Sequence, residues 1–253
     1  MKLALLSDIH SNIQALDACI DHAREEGATR FALLGDLVGY GADPGAVVER
    51  VRALVQQEQA LAVLGNHDLL ALEPPAQARQ RGELTAQWTH DQLTAEQRAF
   101  LRELPLTARL SPEALLVHAS ADGPERWHYV VDASGAERSL SAAALQDPAV
   151  HYVFSGHVHE QALYFMTRTA KLMQFAPQPG VPVPVLPHRR WLAIVGSVGQ
   201  PRDGDARAMY ALFDDAAAQI TFHRVEYDVT AAAAAIRAAG LPAFDADRLE
   251  QGW

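Results

Sequence analysis

Apolar runs and helix-like apolar spacing alternate along the first third of the chain. The apolar runs, which predict buried strands, cover residues 2–6, 31–34 and 61–64. After the first run, apolar residues recur at helical spacing from Ile13 to Ile20, which predicts a helix that ends at Gly27. Pro44 opens a second helical pattern. The order strand, helix, strand, helix, strand is typical of an α/β fold with parallel strand pairing.

The rest of the chain predicts a helical segment and several further strands. Residues 73–104 are polar and helical in pattern, and we expect them to form a cap over a functional site. Further strand signals cover residues 115–118, 150–155, 163–166, 172–175, 191–195, 209–213 and 220–225. We expect the last five to build a second sheet that packs on the first.

Loops and a last helix complete the predicted organisation. We expect a long loop at residues 120–139, a proline-rich surface loop at 177–187 and a C-terminal helix that ends at Gly240. No linker-like stretch divides the chain, so we expect residues 1–253 to form a single domain.

The composition excludes several classes of protein. Apolar residues make up 49% of the 253 residues and charged residues 21%, which is typical of a globular protein and not of a disordered chain. Lys and Arg number 21 against 31 Asp and Glu, for a net charge of −10. Because no basic stripe is visible, we expect no long nucleic acid as a partner.

The cysteine content and the apolar segments indicate the compartment. Cys19 is the only cysteine, so no intrachain disulfide can form and a reducing compartment is favoured. The N-terminal apolar stretch covers only residues 3–6, which is too short for a signal-peptide core. No segment approaches the ~20 apolar residues of a membrane helix. We therefore expect a cytoplasmic protein that does not engage a membrane, and the oligomeric state stays open.

Five polar blocks each follow a predicted strand. They are Asp8-Ile9-His10, Gly35-Asp36, Gly65-Asn66-His67-Asp68, His118 and Gly156-His157-Val158-His159. In an α/β sheet, ligands bind beyond the carboxyl ends of the strands, so we expect the blocks to converge. Asp8 and His10 are two residues apart in a stretch that we expect to be extended, which places both side chains on one face. The same spacing relates His157 to His159.

The blocks offer a set of candidate metal ligands. They are Asp8, His10, Asp36, Asn66, His118, His157 and His159. One cation rarely takes seven ligands, whereas two cations that share a carboxylate would use all of them. Oxygen and nitrogen ligands without thiolate favour Mn²⁺, Fe or Zn²⁺. Taken singly, each block also fits a turn or a solvated strand end, so the prediction depends on the five blocks together.

Together the blocks resemble those of the calcineurin-like metallophosphoesterases, and within them the small bacterial and archaeal phosphodiesterase branch. The resemblance extends from Met1 to about Phe213. It implies a four-layer α/β/β/α sandwich of two mixed sheets flanked by helices, with a two-metal site.

The resemblance also implies a role for each residue of the blocks. One metal would be held by Asp8, His10, Asp36 and His159. The other would be held by Asp36, Asn66, His118 and His157, with Asp36 bridging. His67 would stabilise or protonate the leaving oxygen, and Asp68 would orient His67.

The implied activity is that of a two-metal phosphoesterase, in the first place a phosphodiesterase, in which a metal-bridging hydroxide attacks phosphorus directly. We expect two divalent ions, Mn²⁺ first with Fe or Zn²⁺ as alternatives. The expected substrate is a phosphate ester, with nucleotides among the candidates. A dinucleoside polyphosphate hydrolase and a protein serine/threonine phosphatase stay open, because the pocket walls decide the substrate. A non-catalytic binding scaffold is disfavoured, since every ligand and His67 are present.

Two residues outside the blocks are candidates for substrate contact. Arg202 lies in the glycine-rich stretch 196–203, where backbone amides and its guanidinium could hold a phosphate oxygen. A tight turn is the alternative interpretation of that stretch. Tyr40, shortly after Asp36, is the other candidate. The aromatic cluster at 127–129 could stack on a base, although local packing is the simpler explanation.

Overall fold

Two mixed sheets lie face to face, with helices on their outer surfaces. The computed structural model describes residues 1–167, 169 and 171–253. The strands are β1 (Lys2–Leu6), β2 (Arg30–Leu33), β3 (Leu61–Ala62), β4 (Thr107–Ser111), β5 (Ala114–Val117), β6 (Tyr152–Ser155), β7 (Gln161–Met166), β8 (Leu172–Phe175), β9 (Val183–Pro184), β10 (Arg190–Val195), β11 (Ala208–Asp214) and β12 (Gln219–Val225). The helices are α1 (Ile13–Glu25), α2 (Pro44–Glu58), α3 (Asn66–Leu72), α4 (Arg81–Leu84), α5 (Ala86–Gln92), α6 (Ala95–Glu103), α7 (Ala133–Gln146), α8 (Val229–Ala238) and α9 (Ala243–Gln251).

Each sheet has six strands. The first runs in the order β3-β2-β1-β11-β12-β9 and the second in the order β4-β5-β6-β10-β7-β8. Strands β1, β2 and β3 are parallel to one another, as are β5, β6 and β10, whereas the remaining pairs are antiparallel. The parallel strands direct their carboxyl ends, and the polar residues that follow, to a common edge.

Side-chain alternation along β1 separates two of the apolar layers. Leu3 and Leu5 belong to the cluster between the sheets, together with Phe213 of the neighbouring strand β11 and Phe154 of β6 in the facing sheet. Ala4 and Leu6 belong to the cluster beneath α1 and α2. A third apolar layer lies between the second sheet and α7. The predicted four-layer α/β/β/α arrangement is thereby confirmed.

The predicted division of the strands between the sheets was wrong in part. Strands β11 and β12 belong to the first sheet, where β11 pairs antiparallel with β1 and places Phe213 opposite Leu3. The second sheet takes β5 and β6 instead, beside β10, β7 and β8. Apolar alternation specifies which face of a strand is buried, but not which strand lies beside it.

Two helices lie where the sequence pattern did not predict them. Helix α7 occupies the second half of the expected 120–139 loop, with Ala136, Leu140 and Ala143 buried on one face. Its apolar stripe is built largely of alanine, which gives a weak periodic signal. Helix α9 follows Gly240, where we expected the last helix to end.

The expected helical segment at 73–104 is divided into separate helices. It begins earlier, with α3 at Asn66, and residues 73–80 around Pro74 and Pro75 are not helical. Helices α4, α5 and α6 follow, and α5 and α6 pack against α3. Across the described residues, helices fall short of the length and apolar character that crossing a membrane requires.

Candidate metal centre

The first two polar blocks continue the strand pairing beyond the ends of β1 and β2. The amide of Asp8 donates to the carbonyl of Gly35 at 3.1 Å, and the amide of His10 donates to that of Asp36 at 3.0 Å. The carbonyl of Asp8 also accepts the amide of Gly199 at 2.9 Å, in the loop that follows β10. Backbone hydrogen bonds therefore bring segments that are distant in sequence to one edge of the sheets.

Asp8, His10 and His159 form the first cluster of candidate ligands. Nε2 of His159 lies 3.1 Å from Nε2 of His10 and 3.2 Å from Oδ1 of Asp8. The outer nitrogens, Nδ1 of His10 and Nδ1 of His159, contact the backbone carbonyls of Val38 at 3.2 Å and Gln200 at 2.6 Å. Because a carbonyl oxygen only accepts, each Nδ1 carries the proton and each Nε2 presents a lone pair.

His118 and His157 repeat this arrangement in the second cluster. Nε2 of His118 lies 3.1 Å from Nδ1 of His157. The outer nitrogens donate to the carbonyls of Leu34 at 2.7 Å and Trp127 at 3.1 Å. The inward nitrogens are therefore the ones with lone pairs, and the backbone carbonyls hold both rings in orientation.

Asn66 and Asp36 complete the second cluster. Oδ1 of Asn66 lies 3.1 Å and Oδ2 of Asp36 lies 3.2 Å from Nε2 of His118. The same oxygen of Asp36 is 3.8 Å from Nε2 of His10, in the first cluster. Asp36 therefore stands between the two clusters and faces both.

This donor set fits divalent cations. Lone pairs that converge within 3.1–3.2 Å repel one another unless a positive charge lies between them. Oδ1 of Asp8 is buried, and no hydrogen bond reaches it from the described residues. A cation would satisfy that oxygen and the converging nitrogens together. The nitrogen and oxygen ligands suit Mn²⁺, Fe or Zn²⁺.

Burial and neighbouring charges act in opposite directions on the titratable groups. Burial raises the pKa of Asp36, but the imidazoles of His118 and His67 outweigh it and hold that pKa well below its ordinary value. Burial lowers the pKa of His118, whereas the Asp36 carboxylate raises it, with a net value of about 9. Burial lowers the pKa of His157 to about 4. Protons and cations therefore compete for the position between Asp36 and His118.

Five of the seven candidate ligands have a left-handed backbone. They are Asp8 (φ 53°), His10 (φ 48°), Asp36 (φ 51°), His157 (φ 68°) and His159 (φ 65°). The prediction of an extended backbone at Asp8 and His10, and by the same spacing at His157 and His159, was therefore wrong, although the side chains do converge. A left-handed residue other than glycine costs about 1–3 kcal/mol, so surrounding contacts must hold each one in place.

Two glycines of the blocks are required by the close approach of the segments. A Cβ at Gly65 would overlap the backbone nitrogen and the carboxylate of Asp36. A Cβ at Gly156 would overlap the side chains of Ser7 and Asp8. Gly65 lets the blocks after β2 and β3 of the first sheet touch, and Gly156 lets the block after β6 touch the block after β1 in the other sheet. This close approach explains why glycine precedes the candidate ligands in the sequence.

Asp68 acts on the backbone that carries His67. Its carboxylate accepts the amides of Val38 at 3.1 Å and Gly65 at 2.9 Å, and thereby caps the start of α3. Among the described residues, no hydrogen bond joins it to the imidazole of His67, so Asp68 contacts the backbone at the start of α3 and not the ring itself. Burial raises the pKa of Asp68 to about 7.

The imidazole of His67 is positioned by packing. Its ring centroid lies 4.5 Å from that of Tyr40 and 5.1 Å from that of His10. A Cβ at Gly82 would lie 2.6 Å from Cε1 of His67, so α4 closes one side of the ring. Burial lowers the pKa of His67.

Aromatic and basic side chains surround the clusters. Tyr40 lies 4.8 Å from the ring of His10, and the guanidinium carbon of Arg202 lies 5.8 Å from the Tyr40 ring. The ring of Tyr129 stacks on that of His157 at 3.9 Å and is 56% exposed. Sequence reasoning named Arg202 and Tyr40, and the structure places both beside the clusters.

A family model described as the calcineurin-like phosphoesterase superfamily domain matches residues 1–217. The chain belongs to the calcineurin-like phosphoesterase superfamily. It is a phosphoric ester hydrolase of that superfamily, and each of its two buried clusters could hold a metal ion.

Similarity to other proteins extends over the whole chain. A metallophosphoesterase from Sphaerobacter thermophilus has a similar solved structure, with a TM-score of 0.83 and 34% identity, covering 100% of this chain and 99% of that chain. A hypothetical protein from Pyrococcus horikoshii OT3 has a TM-score of 0.76 and 20% identity, covering 100% and 98%, which shows the shared fold. An uncharacterized protein of Methanocaldococcus jannaschii is 31% identical over 258 residues, covering 99% of this chain and 98% of that protein.

All seven predicted ligands of this phosphoesterase lie together. What sequence reasoning missed is the set of backbone carbonyls that orient the histidines, at Leu34, Val38, Trp127 and Gln200. Every residue has a carbonyl, so no side-chain signal could have identified these four.

Proposed function

We propose that this phosphoesterase hydrolyses phosphodiesters with two divalent cations held by the two clusters. The observation that carries the proposal is the position of Asp36, whose Oδ2 faces the inward nitrogens of His10 and His118. One cation would be held by Asp8, His10, Asp36 and His159. The other would be held by Asp36, Asn66, His118 and His157. Mn²⁺ is the proposed ion, because this nitrogen and oxygen set suits it.

The charges of the clusters favour an anionic substrate. Divalent cations held there would lower the pKa of a water molecule and offset negative charge on the phosphoryl oxygens. Asp8 and Asp36 are the carboxylates of the clusters, and the remaining ligands are an amide and imidazoles, which would be neutral when they hold a cation. The positive charge of two divalent cations would therefore exceed the negative charge of the two carboxylates. The loaded centre would attract phosphate despite the net charge of −10 on the chain.

His67 is the proposed proton donor to the leaving oxygen. Its imidazole is 9% exposed and lies beside the first cluster, against the rings of His10 and Tyr40. Burial holds its pKa below the ordinary value, and an anionic phosphate beside it would favour the protonated form. Asp68 would support this role by fixing the backbone of α3.

The walls of the site suggest further roles. Arg202 and Tyr40 would contact the substrate at the rim, and α4 would serve as part of the cap that we expected at 73–104. The cap, the single domain and the cytoplasmic location stay predictions.

Metal analysis and a substrate panel test the proposal. Purified protein loaded with Mn²⁺ should hold two ions per chain and hydrolyse bis(p-nitrophenyl) phosphate faster than p-nitrophenyl phosphate. Asn66→Ala should lower hydrolysis by at least about a hundredfold. A folded Asn66→Ala variant with the parent rate would contradict the metal role of Asn66. Preference for a phosphoserine peptide or a dinucleoside polyphosphate would favour the corresponding alternative activity.

A further inference from the structure

Three arginines from separate parts of the chain form a row beside the metal centre. Nη2 of Arg202 donates to Oε1 of Gln200 at 2.6 Å, and Nη1 of Arg248 donates to the same oxygen at 3.3 Å. The guanidinium carbons of Arg248 and Arg81 lie 4.8 Å and 3.8 Å from the ring centroid of Phe244. Gln200 and Phe244 therefore join the three guanidinium groups into one surface, which we call the arginine row.

The arginine row begins on the side of the centre that holds His67. The guanidinium of Arg202 faces the Tyr40 ring at 5.8 Å, and that ring lies 4.5 Å from the imidazole of His67. Arg81 immediately precedes Gly82, where a Cβ would lie 2.6 Å from Cε1 of the same imidazole and 3.1 Å from the Tyr40 hydroxyl. Because His67 is the proposed donor to the leaving oxygen, the row lies where the leaving group would depart.

Among the described residues, the charges of the row have no carboxylate in salt-bridge contact. Other arginines of the chain are paired: Arg207 contacts Asp205 and Arg237 contacts Glu250. In the described part of the chain, no carboxylate oxygen lies within 4.0 Å of a guanidinium nitrogen of the row. In addition, Nε of Arg202 and Nε of Arg248 are buried without an acceptor among the described residues.

One buried carboxylate, Asp245, lies near the row but cannot neutralise it. Asp245 is 4% exposed, and burial raises its pKa to about 6 despite the attraction of the arginines. A single carboxylate against three guanidinium groups leaves the row positive. Like charges held this close repel one another, and a bound anion would relieve that repulsion.

Guanidinium groups stacked on an aromatic ring are well suited to bind phosphate. Stacking uses the face of the guanidinium and leaves its N–H edges free, and these edges match the spacing of phosphate oxygens. Carboxylates also accept from guanidinium groups, but a phosphate carries more charge and more acceptor oxygens, which three cations can share.

We propose that the arginine row binds a second phosphate group of the substrate, carried by the leaving group. The enzyme then prefers phosphate esters or anhydrides whose leaving group is itself phosphorylated. This inference rests on the proposed hydrolysis at the metal centre. Arg248 and Phe244, both on α9, lie beyond the residues 1–217 that match the superfamily model, so α9 contributes to this specificity together with Arg81 and Arg202.

Inhibition by phosphate compounds tests the row. Orthophosphate and tripolyphosphate are compared as competitive inhibitors of bis(p-nitrophenyl) phosphate hydrolysis by the Mn²⁺ enzyme, with the free Mn²⁺ concentration held constant. The parent enzyme should bind tripolyphosphate at least about tenfold more tightly than orthophosphate, since charge-assisted hydrogen bonds of this kind are strong. Arg248→Gln and Arg81→Gln should each reduce that ratio by about tenfold. Arg52→Gln, an arginine that pairs with Glu49 within α2, is the matched charge control and should keep the ratio.

The outcomes separate this inference from the proposed function. No hydrolysis of the aryl diester would refute the proposed function itself. If the aryl diester is hydrolysed but orthophosphate and tripolyphosphate inhibit equally, the row is not a phosphate-binding site. The same conclusion follows if folded Arg248→Gln and Arg81→Gln both keep the inhibition ratio of the parent enzyme, and the row then has only a packing role. Two variants from different helices are used so that misfolding of one does not remove the test.

Discussion

The backbone amide of His67 donates a hydrogen bond of 2.7 Å to Oδ1 of Asp36. The two carboxylate oxygens of Asp36 therefore make different contacts. Oδ1 accepts the backbone amide of His67, the proposed proton donor to the leaving oxygen, and Oδ2 faces the inward nitrogens of both clusters. This bond connects the shared ligand directly to the proposed acid.

Asp36→Asn should disrupt the contact with the His67 amide or the contact with the inward nitrogens, while preserving the size of the side chain. The side-chain amide of the new asparagine must place its nitrogen either against the His67 backbone amide or against the inward imidazole nitrogens. The first position offers no acceptor, and the second offers only the lone pairs that a cation needs. Bound Mn²⁺ should fall from two ions to one or fewer, and hydrolysis should fall at least about a hundredfold. Elemental analysis and an aryl diester assay measure both quantities.

The matched control is Asp21→Asn, which removes a carboxylate that is 71% exposed. It should retain two ions and the parent rate. Two bound ions and full activity in Asp36→Asn would contradict the shared-ligand role.

Replacement of His67 should affect substrates according to their leaving groups. If the imidazole donates a proton, His67→Asn should lower kcat by about 10²–10⁴-fold for poor alkoxide leaving groups and far less for p-nitrophenolate. A series of aryl and alkyl phosphodiesters provides the measurement, as the slope of log kcat against leaving-group pKa. An equal loss across the series would exclude proton donation by His67.

Gly82→Ala should act on catalysis through the position of His67. The added methyl group would lie 2.6 Å from Cε1 of the imidazole, so the ring must move. We expect kcat to fall roughly tenfold or more with bound metal unchanged, because catalytic groups tolerate little displacement. Steady-state kinetics with metal analysis distinguish this from ligand loss.

Gly45→Ala is the comparison for that substitution. Gly45 is also helical, and a Cβ there would meet Gln97 at an ordinary distance of 3.5 Å. Its kinetics should match those of the parent chain. Parent-like kcat in Gly82→Ala would show that α4 does not position the imidazole.

His223 should make stability depend on pH, away from the metal centre. Its ring is 6% exposed and stacks on Tyr210 at 4.8 Å. Burial, with a smaller contribution from His22, lowers the pKa of His223 to about 4. The unfolded chain binds this proton at a pKa of ~6.5, so stability is fully present above pH ~6.5 and declines as pH falls towards 4.

The effect amounts to about 3 kcal/mol of unfolding free energy between those limits. Urea unfolding at several pH values should show a shallower acid decline in His223→Gln than in the parent chain. His188→Gln, at an exposed position, is the control. Identical pH profiles for the parent and His223→Gln would refute this contribution.

Some features follow directly from the order of residues. Polar blocks after apolar runs identified all seven candidate ligands that the structure brings together, because parallel strands end at a common edge whatever their detailed pairing. The four-layer architecture was likewise predicted by resemblance, and the strands β1 and β2 by their apolar runs. These features depend on the local order of apolar and polar residues, which is the same whether the chain is folded or unfolded.

Other features exist only once distant segments pack. The left-handed backbone at Asp8 and His10 is held by pairing with the segment after β2, and the partner of β1 proved to be β11. The arginine row joins residues about 120 and 46 positions apart, which no local pattern connects. The sequence by itself determined which side chains could bind cations and which strand each of them follows. The tertiary structure alone decided their backbone conformation, the carbonyls that orient them and the charges beside them, because each depends on contacts between segments remote along the chain.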